Sequence, residues 1–279
     1  MSGPLPLLFR QTWLYSRFEL HRLFMTPRGW FALAAFTTIW YFLLRYPIYQ
    51  ASVQLQEPEI QQMLSGMLGM LGMVGMYNLL NWSLPELSVY WAMTVFFMPL
   101  AVMFSAADQT CTDRSRGTLR FLTLRSSRDS IFFGRFIGQL LVQALLIGLS
   151  LLATLVLAVW RVGELPAAAL NAALLIWLNL LIVLMPFTAL MALCSALVRS
   201  SRLAISLAIV SIGAVAGVLG YLVWHFPDLR AVLEYLPGAQ LPMLLGAQGW
   251  DTLKHSGLPL LQTLVLLIAG RFVMQEKAL

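Results

Sequence analysis

Mostly apolar stretches alternate with short polar segments along the chain. The stretches long enough to cross a membrane are residues 30–46, 87–107, 136–160, 166–198, 203–224 and 257–273. A helix needs about 20 mostly apolar residues to cross a bilayer, and only helices or closed barrels satisfy their backbone polar groups there. The pattern therefore predicts an all-α membrane protein in which six transmembrane helices form one domain over residues 1–279.

Composition favours a membrane protein over a nucleic-acid-binding one. Hydrophobic residues make up 59% of the 279 residues and charged residues only 11%, whereas soluble domains are about a quarter charged. The net charge of +6 comes from basic residues that lie mainly between the apolar stretches, where membrane topology requires them. Nucleic acid is therefore not expected as a partner.

Residues 1–29, before the first predicted span, mix aromatic and basic side chains. Phe9, Trp13, Leu20 and Phe24 fall on one helical stripe, beside a stripe of basic residues. A helix of this kind lies in the membrane interface, with its polar side chains toward the lipid headgroups. The charged residues assigned to this interfacial helix are Arg10, Arg17, Glu19 and Arg22. A tail that faces solvent is the alternative.

The most charged segment is residues 108–135, between the second and third predicted spans. It holds six arginines and three aspartates, and basic loops of membrane proteins stay on the cytoplasmic side. With six crossings and both termini in the cytoplasm, 14 of the 18 lysines and arginines fall on that side. This charge bias supports the predicted topology.

A further uncharged stretch, residues 60–82, is nearly long enough to cross. An even number of crossings must separate the basic N-terminal segment from the basic loop, so this stretch is predicted to lie in or on the outer leaflet. It contains four Gly-Met pairs within residues 66–77. Methionine thioethers can bind Cu(I), but a period of three turns successive methionines around a helix. An adaptable apolar surface is the other interpretation.

Prolines and glycines mark the region of the fifth and sixth spans. Prolines interrupt residues 226–256, which predicts short re-entrant helices in the outer leaflet before the sixth span. Gly213 and Gly217 have GxxxG spacing, and Gly220 follows one turn later. Small residues at this spacing allow helices to pack closely, either within one chain or between two copies.

Catalytic and cofactor-binding motifs are absent from the sequence. A nucleotide-binding P-loop ends in Gly-Lys-Ser/Thr, whereas the only lysines, Lys254 and Lys277, follow Leu253 and Glu276. No catalytic or metal-ligand constellation stands out. No ionisable residue lies near the middle of a predicted span, as a proton relay would need. The chain itself is therefore expected to hold no catalytic residues, no metal and no cofactor.

The charged loop has a distinctive order of motifs. Asp113 is followed by Gly117-Thr118-Leu119, the apolar pair Phe121-Leu122, Ser127-Arg128 and Gly134-Arg135. This order resembles the ABC-2 type permeases, the membrane subunits of ABC exporters, which typically show acidic residues, Gly-Thr-Leu, Leu-Leu, Pro-x-Ser-Arg and Gly-Lys. Here the proline is missing and Arg135 replaces the lysine. The motifs are confined to residues 98–138, while the architecture resembles the family over the whole chain.

The resemblance implies a coupling helix on the cytoplasmic side that presses into a groove on a separate ATPase subunit. Its residues would be Arg116, Gly117, Thr118, Leu119, Arg120, Phe121 and Leu122. Leu119, Phe121 and Leu122 offer an apolar anchor, and the arginines can pair with acidic residues of the partner. The alternative is that these arginines only enforce the orientation of the chain in the membrane.

The resemblance also implies the composition and role of a complex. Two ATPase subunits, which bind ATP and Mg²⁺, would act with two permease subunits, expected as a homodimer, in the inner (cytoplasmic) membrane. The expected activity is export of a substrate whose identity stays open. The alternative is that the chain transmits ATP-driven motion to a periplasmic partner, for example in copper-enzyme maturation or in a surface assembly machine.

Overall fold

The computed structural model describes residues 4–70, 77–80, 82, 84–246 and 249–276. Every regular element in this part of the chain is helical, and no strand occurs in it. The segments long and apolar enough to cross a membrane are six: Gly29–Gln54, Pro85–Ser105, Arg128–Val162, Ala167–Leu197, Ser201–His225 and Gly249–Glu276. The predicted all-α membrane protein with six transmembrane helices is therefore confirmed. The single domain over residues 1–279 stays a prediction.

The N-terminal helix, α1 (Pro4–Met25), is followed at once by α2 (Pro27–Leu43). The α2 helix continues through a π-helical turn, Leu44–Ile48, into α3 (Tyr49–Gln54). The sequence predicted an end at residue 46, because Arg45 and Pro47 interrupt the apolar run. The helix continues instead, because the wider π turn accommodates a proline that would clash within an α-helix.

Two short helices, α4 (Pro58–Met70) and α5 (Tyr77–Leu80), fall within or beside residues 60–82. The first has 13 residues and the second four, so neither reaches membrane length. Two of the four Gly-Met pairs lie in residues 71–76, outside the described residues, so the copper hypothesis stays a prediction. The methionines of α4 that belong to these pairs, Met67 and Met70, are exposed.

The α6 helix leads into the charged loop, which contains two short helices and ends at the long helix α9. Their bounds are Pro85–Ser105 for α6, Cys111–Ser115 for α7, Thr118–Thr123 for α8 and Arg128–Val162 for α9. Ser127 caps α9 by accepting a hydrogen bond from Ser130 N at 3.1 Å, so the helix begins earlier than the predicted span at residue 136. Its 35 residues correspond to about 52 Å, against about 30 Å for the hydrocarbon core. The α9 helix is therefore longer than the hydrocarbon core is thick.

The α10 helix (Ala167–Leu197) occupies the centre of the bundle. It packs against α6, α9, α11 (Ser201–His225) and α13 (Gly257–Glu276). In the most apolar stretch of α10, 72% of the residues are buried. In the corresponding stretches of α11 and of the first membrane segment, only 11% are buried. The α10 helix therefore forms the core of the bundle, and α2 and α11 present most of their apolar surface outward.

Short helical segments precede α13 in the region predicted to form re-entrant helices. They are a 3₁₀ helix at Pro227–Tyr235, α12 (Leu241–Gly246) and a 3₁₀ helix at Gly249–Ser256. At the same end of the bundle, Arg161 at the end of α9 forms an ion pair with the fully buried Glu86 at the start of α6. The depth of the short helices in a bilayer stays a prediction.

Candidate functional site

The charged loop reverses its direction at Gly117, between α7 and α8. Gly117 has a φ of +70°, in the left-handed region that favours glycine. The Thr118 hydroxyl donates a hydrogen bond to the Asp113 carbonyl oxygen at 3.1 Å, and it lies 3.2 Å from the Asp113 carboxylate. The Gly-Thr pair of the motif thus has a local structural role. Gly117 permits the turn, and the Thr118 hydrogen bond to Asp113 stabilises it.

The α8 helix has one buried side chain and an exposed apolar face. Leu119 is 2% exposed, whereas Phe121 is 72% and Leu124 is 82% exposed. The buried partners in the cluster around Leu119 are Ile131, Phe132, Ala192 and Met274. Leu119 was predicted to belong to the anchor for a partner, but it anchors α8 to the interior of its own chain. The exposed apolar surface consists of Phe121 and Leu124, and Leu122 is half-buried.

A cluster of three charges holds the loop against two helices. Arg135 of α9 contacts Glu19 of α1, with 2.5 Å between Nη1 and Oε1, and its Nη2 contacts the Asp113 carboxylate of the loop. The side chains of Arg135 and Glu19 are 6% and 3% exposed. Burying ions is costly unless they are paired, so this cluster fixes the loop, α1 and α9 relative to one another. Within the described chain, no group of three or more His, Cys, Asp or Glu side chains could hold a metal ion.

Glycines on α9 allow α1 to approach closely. A Cβ added at Gly134 would lie 2.5 Å from Tyr15 Cβ, and one at Gly138 would lie 2.8 Å from Glu19 Cβ. Ser16 donates a hydrogen bond to the Gly134 carbonyl oxygen at 3.1 Å. From the sequence, Gly134 was interpreted only as part of a motif. In the structure, Gly134 and Gly138 form the surface of α9 on which α1 packs.

The predicted residues of the interfacial helix fall on different faces of α1. Arg10 and Arg17 are exposed, and Arg22 is half-buried with Nη1 at 3.6 Å from Glu19 Oε2. Glu19 was predicted to face the lipid headgroups, but it is buried against α9 because it pairs with Arg135. The α1 helix therefore has one face fastened to the bundle and another that carries basic residues outward.

The Ser127-Arg128 motif ties the end of the loop to the end of α13. Arg128 Nη1 donates hydrogen bonds to the carbonyl oxygens of Gln275 at 2.7 Å and Met274 at 3.2 Å. The next residue, Asp129, accepts from Arg271 Nη2 at 2.9 Å. An arginine at a helix C-terminus satisfies carbonyl groups that have no partner within the helix. The motif thus joins α9 and α13.

The beginning of the loop is fastened to the core helix α10. The Gln109 amide donates to the Thr188 carbonyl oxygen at 3.1 Å, and the Thr110 and Ser195 hydroxyls lie 3.1 Å apart. Arg114 donates to the Ala196 carbonyl oxygen. The loop is therefore held by α1, α9, α10 and α13, and its exposed apolar part is the outer face of α8.

Comparisons with known proteins agree with the motif order and the fold. A search of the curated proteins found none that matches this sequence. Residues 15–262 match the family model described as ABC-2 family transporter protein, which covers most of the 279 residues. With six helices of membrane length in the described residues, this chain belongs to the ABC-2 family and is a transmembrane permease component of an ABC transporter.

Proposed function

We propose that this permease couples ATP hydrolysis by a separate ABC ATPase subunit to the export of a substrate. The observation that carries the proposal is the exposure of Phe121 and Leu124 on a loop whose other contacts hold it firmly. Exposed aromatic side chains and arginines are typical of the residues that dominate protein interfaces. Arg116, Arg120 and Arg125 would form the charged rim of this contact.

The path of coupling follows from the contacts of the loop. Leu119 packs among side chains of α9, α10 and α13, and Asp113 pairs with Arg135. Because close-packed interiors transmit displacement, a movement of α8 imposed by the ATPase would shift α9 and α1 together. The ATPase thus acts on the bundle through both an apolar anchor and an ion pair.

ATP and Mg²⁺ would bind to the ATPase subunits alone, in two copies per complex. The loop would then face the cytoplasm together with both termini, in the inner membrane, as the distribution of basic residues indicates. In a chain without its native cysteines, Gln54→Cys and Ser256→Cys should react with an impermeant thiol reagent added to intact cells. Ser127→Cys should react only after the membrane is opened. Labelling of Ser127→Cys in intact cells would contradict this topology.

A second copy of the chain is the proposed partner within the membrane. A Cβ added at Gly213, Gly217 or Gly220 of α11 would meet nothing within 4 Å, so this face can receive another helix closely. In a chain without native cysteines, Gly217→Cys should form disulfide-linked dimers in membranes. Val156→Cys is the control, because Val156 is 69% exposed on the separate helix α9. Equal cross-linking of both variants would contradict an α11 interface.

The coupling proposal is tested by capturing the ATPase on the tagged permease from native membranes. Phe121→Asp or Leu124→Asp should abolish capture, because each places an unpaired charge in the contact. Arg120→Glu should weaken capture mainly at low salt, because exposed charges are screened. The control is Ser115→Asp, an equal charge change at an exposed position of the same loop, on α7. The captured complex should hydrolyse ATP, whereas the permease alone should not. Full capture by both apolar-face variants would refute the assignment.

A further inference from the structure

A cavity lies between α1, α2, the end of α6, the charged loop and α9. Its volume is about 480 Å³, within the range of small-molecule sites in proteins. One end is lined by apolar side chains of the membrane helices, including Ala32, Val142 and Leu146. The other end is lined by charged side chains of the loop and α1. An apolar end joined to a charged end matches the polarity of a phospholipid.

Among the charged side chains that line this cavity, one acid and one base form no ion pair within the described residues. Glu19 and Asp113 both pair with Arg135, and Arg22 pairs with Glu19. Asp108 accepts hydrogen bonds from the Thr112 backbone N–H at 3.0 Å and from its hydroxyl at 2.5 Å. No cation pairs with Asp108 in the described chain. The cavity thus keeps one carboxylate available to a cationic group.

Arg116 supplies the complementary charge. It lines the same cavity, and the described residues provide no carboxylate within ion-pair distance of it. Arg135 also lines the cavity, and its buried Nε–H finds no acceptor among the described residues. Buried donors without an acceptor are costly. Two arginines therefore offer donors to an anion, close to a carboxylate that can receive an ammonium group.

We infer that this cavity binds a zwitterionic phospholipid with a primary ammonium, of the phosphatidylethanolamine class. The phosphate accepts hydrogen bonds from Arg116 and Arg135 Nε, the ammonium donates to Asp108, and the acyl chains follow the apolar wall toward α2 and α9. Charge-assisted hydrogen bonds are short and strong, and both ends of the headgroup are matched. An anionic lipid would leave Asp108 opposite a negative headgroup.

The test uses the full chain purified in detergent without the ATPase, so its outcome is independent of the proposed coupling. Native mass spectrometry measures binding of phosphatidylethanolamine, phosphatidylcholine and phosphatidylglycerol with identical acyl chains. Phosphatidylethanolamine should bind about tenfold more tightly than phosphatidylcholine, because a quaternary ammonium has no N–H to donate to Asp108. Equal affinities for the three lipids would overturn the proposal.

Two variants separate the ends of the headgroup. Asp108→Asn keeps an oxygen for the Thr112 contacts and should remove the preference for phosphatidylethanolamine over phosphatidylcholine. Arg116→Gln, at an exposed residue, should weaken both lipids about tenfold. Arg199→Gln is the matched control, because Arg199 is exposed and does not line the cavity, and it should change neither affinity. Unchanged binding in both test variants would overturn the proposal.

A soluble headgroup distinguishes a lipid from a free phosphate compound. Glycerophosphoethanolamine carries the same charges without acyl chains, and inorganic phosphate carries only the anion. Both should compete with phosphatidylethanolamine at least a hundredfold less well than the intact lipid does, because the apolar wall contributes through buried area. Competition by either compound at the affinity of the intact lipid would show an anion site and refute lipid binding.

Discussion

Arg135 and Glu19, which are 116 positions apart, form a buried ion pair with 2.5 Å between Nη1 and Oε1. The pair connects α9 to the N-terminal helix, and Asp113 adds the charged loop to the same arginine. One side chain thus holds three parts of the chain that the proposed mechanism requires to move together.

Replacing Arg135 should separate these parts. Arg135→Met leaves the buried Glu19 carboxylate with only its longer contact to Arg22, at 3.6 Å, and should lower the free energy of unfolding by up to about 5 kcal/mol. Thermal unfolding of the purified chain, followed by tryptophan fluorescence, measures this loss. The double variant Glu19→Gln, Arg135→Met should recover part of it, because no buried charge is then left unpaired. Arg17→Met, on the exposed face of α1, is the control. A loss as large in this control, or none in Arg135→Met, would contradict the structural role.

The close contact between α1 and α9 predicts opposite effects for two similar substitutions. Gly138→Ala places a methyl group 2.8 Å from Glu19 Cβ and Cγ and should lower the melting temperature. At Gly148, on the same helix, the nearest atom to an added Cβ is Trp177 Nε1 at 3.6 Å. Gly148→Ala should therefore raise stability by up to about 1 kcal/mol, through helix propensity. Limited proteolysis of α1 should be faster only in Gly138→Ala. Equal effects of the two changes would contradict the close packing.

The six membrane-length helices were predictable because uncharged apolar runs leave a bilayer-crossing helix few alternatives. The end of the first helix was not predictable. A proline usually ends a helix, whereas here a π turn that contains Pro47 lets the helix continue to Gln54. The burial of Leu119 could not be predicted from the sequence either. A six-residue helix shows too little periodicity to say which face is inside.

The charge cluster could be predicted only in part. The sequence showed Arg135 next to Gly134 and Glu19 on a helix with mixed faces, but a pair 116 positions apart leaves no local pattern. A GxxxG spacing at Gly134 and Gly138 was the signal that α1 or another element packs on α9. Recognising it would have predicted a closely packed face on α9, but not that Glu19 lies against it.

The two faces of α8 predict different consequences for truncation. Leu119→Ala removes a side chain that is 2% exposed and should cost about 2–5 kcal/mol of unfolding free energy. Phe121→Ala, at a side chain 72% exposed, should leave the stability of the isolated chain within about 0.5 kcal/mol while it weakens capture of the ATPase. Thermal unfolding and the capture assay on both variants measure the two effects separately. If Phe121→Ala destabilises the isolated chain as much as Leu119→Ala does, then Phe121 belongs to the interior.

Cys111, at the start of α7, predicts a distinctive dependence on pH. Burial, with a further contribution from the Asp108 carboxylate, raises the pKa of its thiol to about 11 from the ordinary value of 9.0. Only the thiolate reacts with alkylating reagents, so at pH 9 about one native thiol in a hundred is reactive. The raised pKa also stabilises the fold below pH 9, and this contribution is lost as the pH rises from 9 toward 11.

The experiment follows alkylation of the Cys194→Ala chain from pH 7 to 10. The rate should be low and should rise about tenfold per pH unit throughout this range, without levelling near pH 9. An exposed cysteine from Ser115→Cys, in a chain lacking Cys111 and Cys194, should react rapidly and level off near pH 9. Similar rates and profiles for the two thiols would show that Cys111 is accessible, and the α7 packing against Ser195 and α10 would then be wrong.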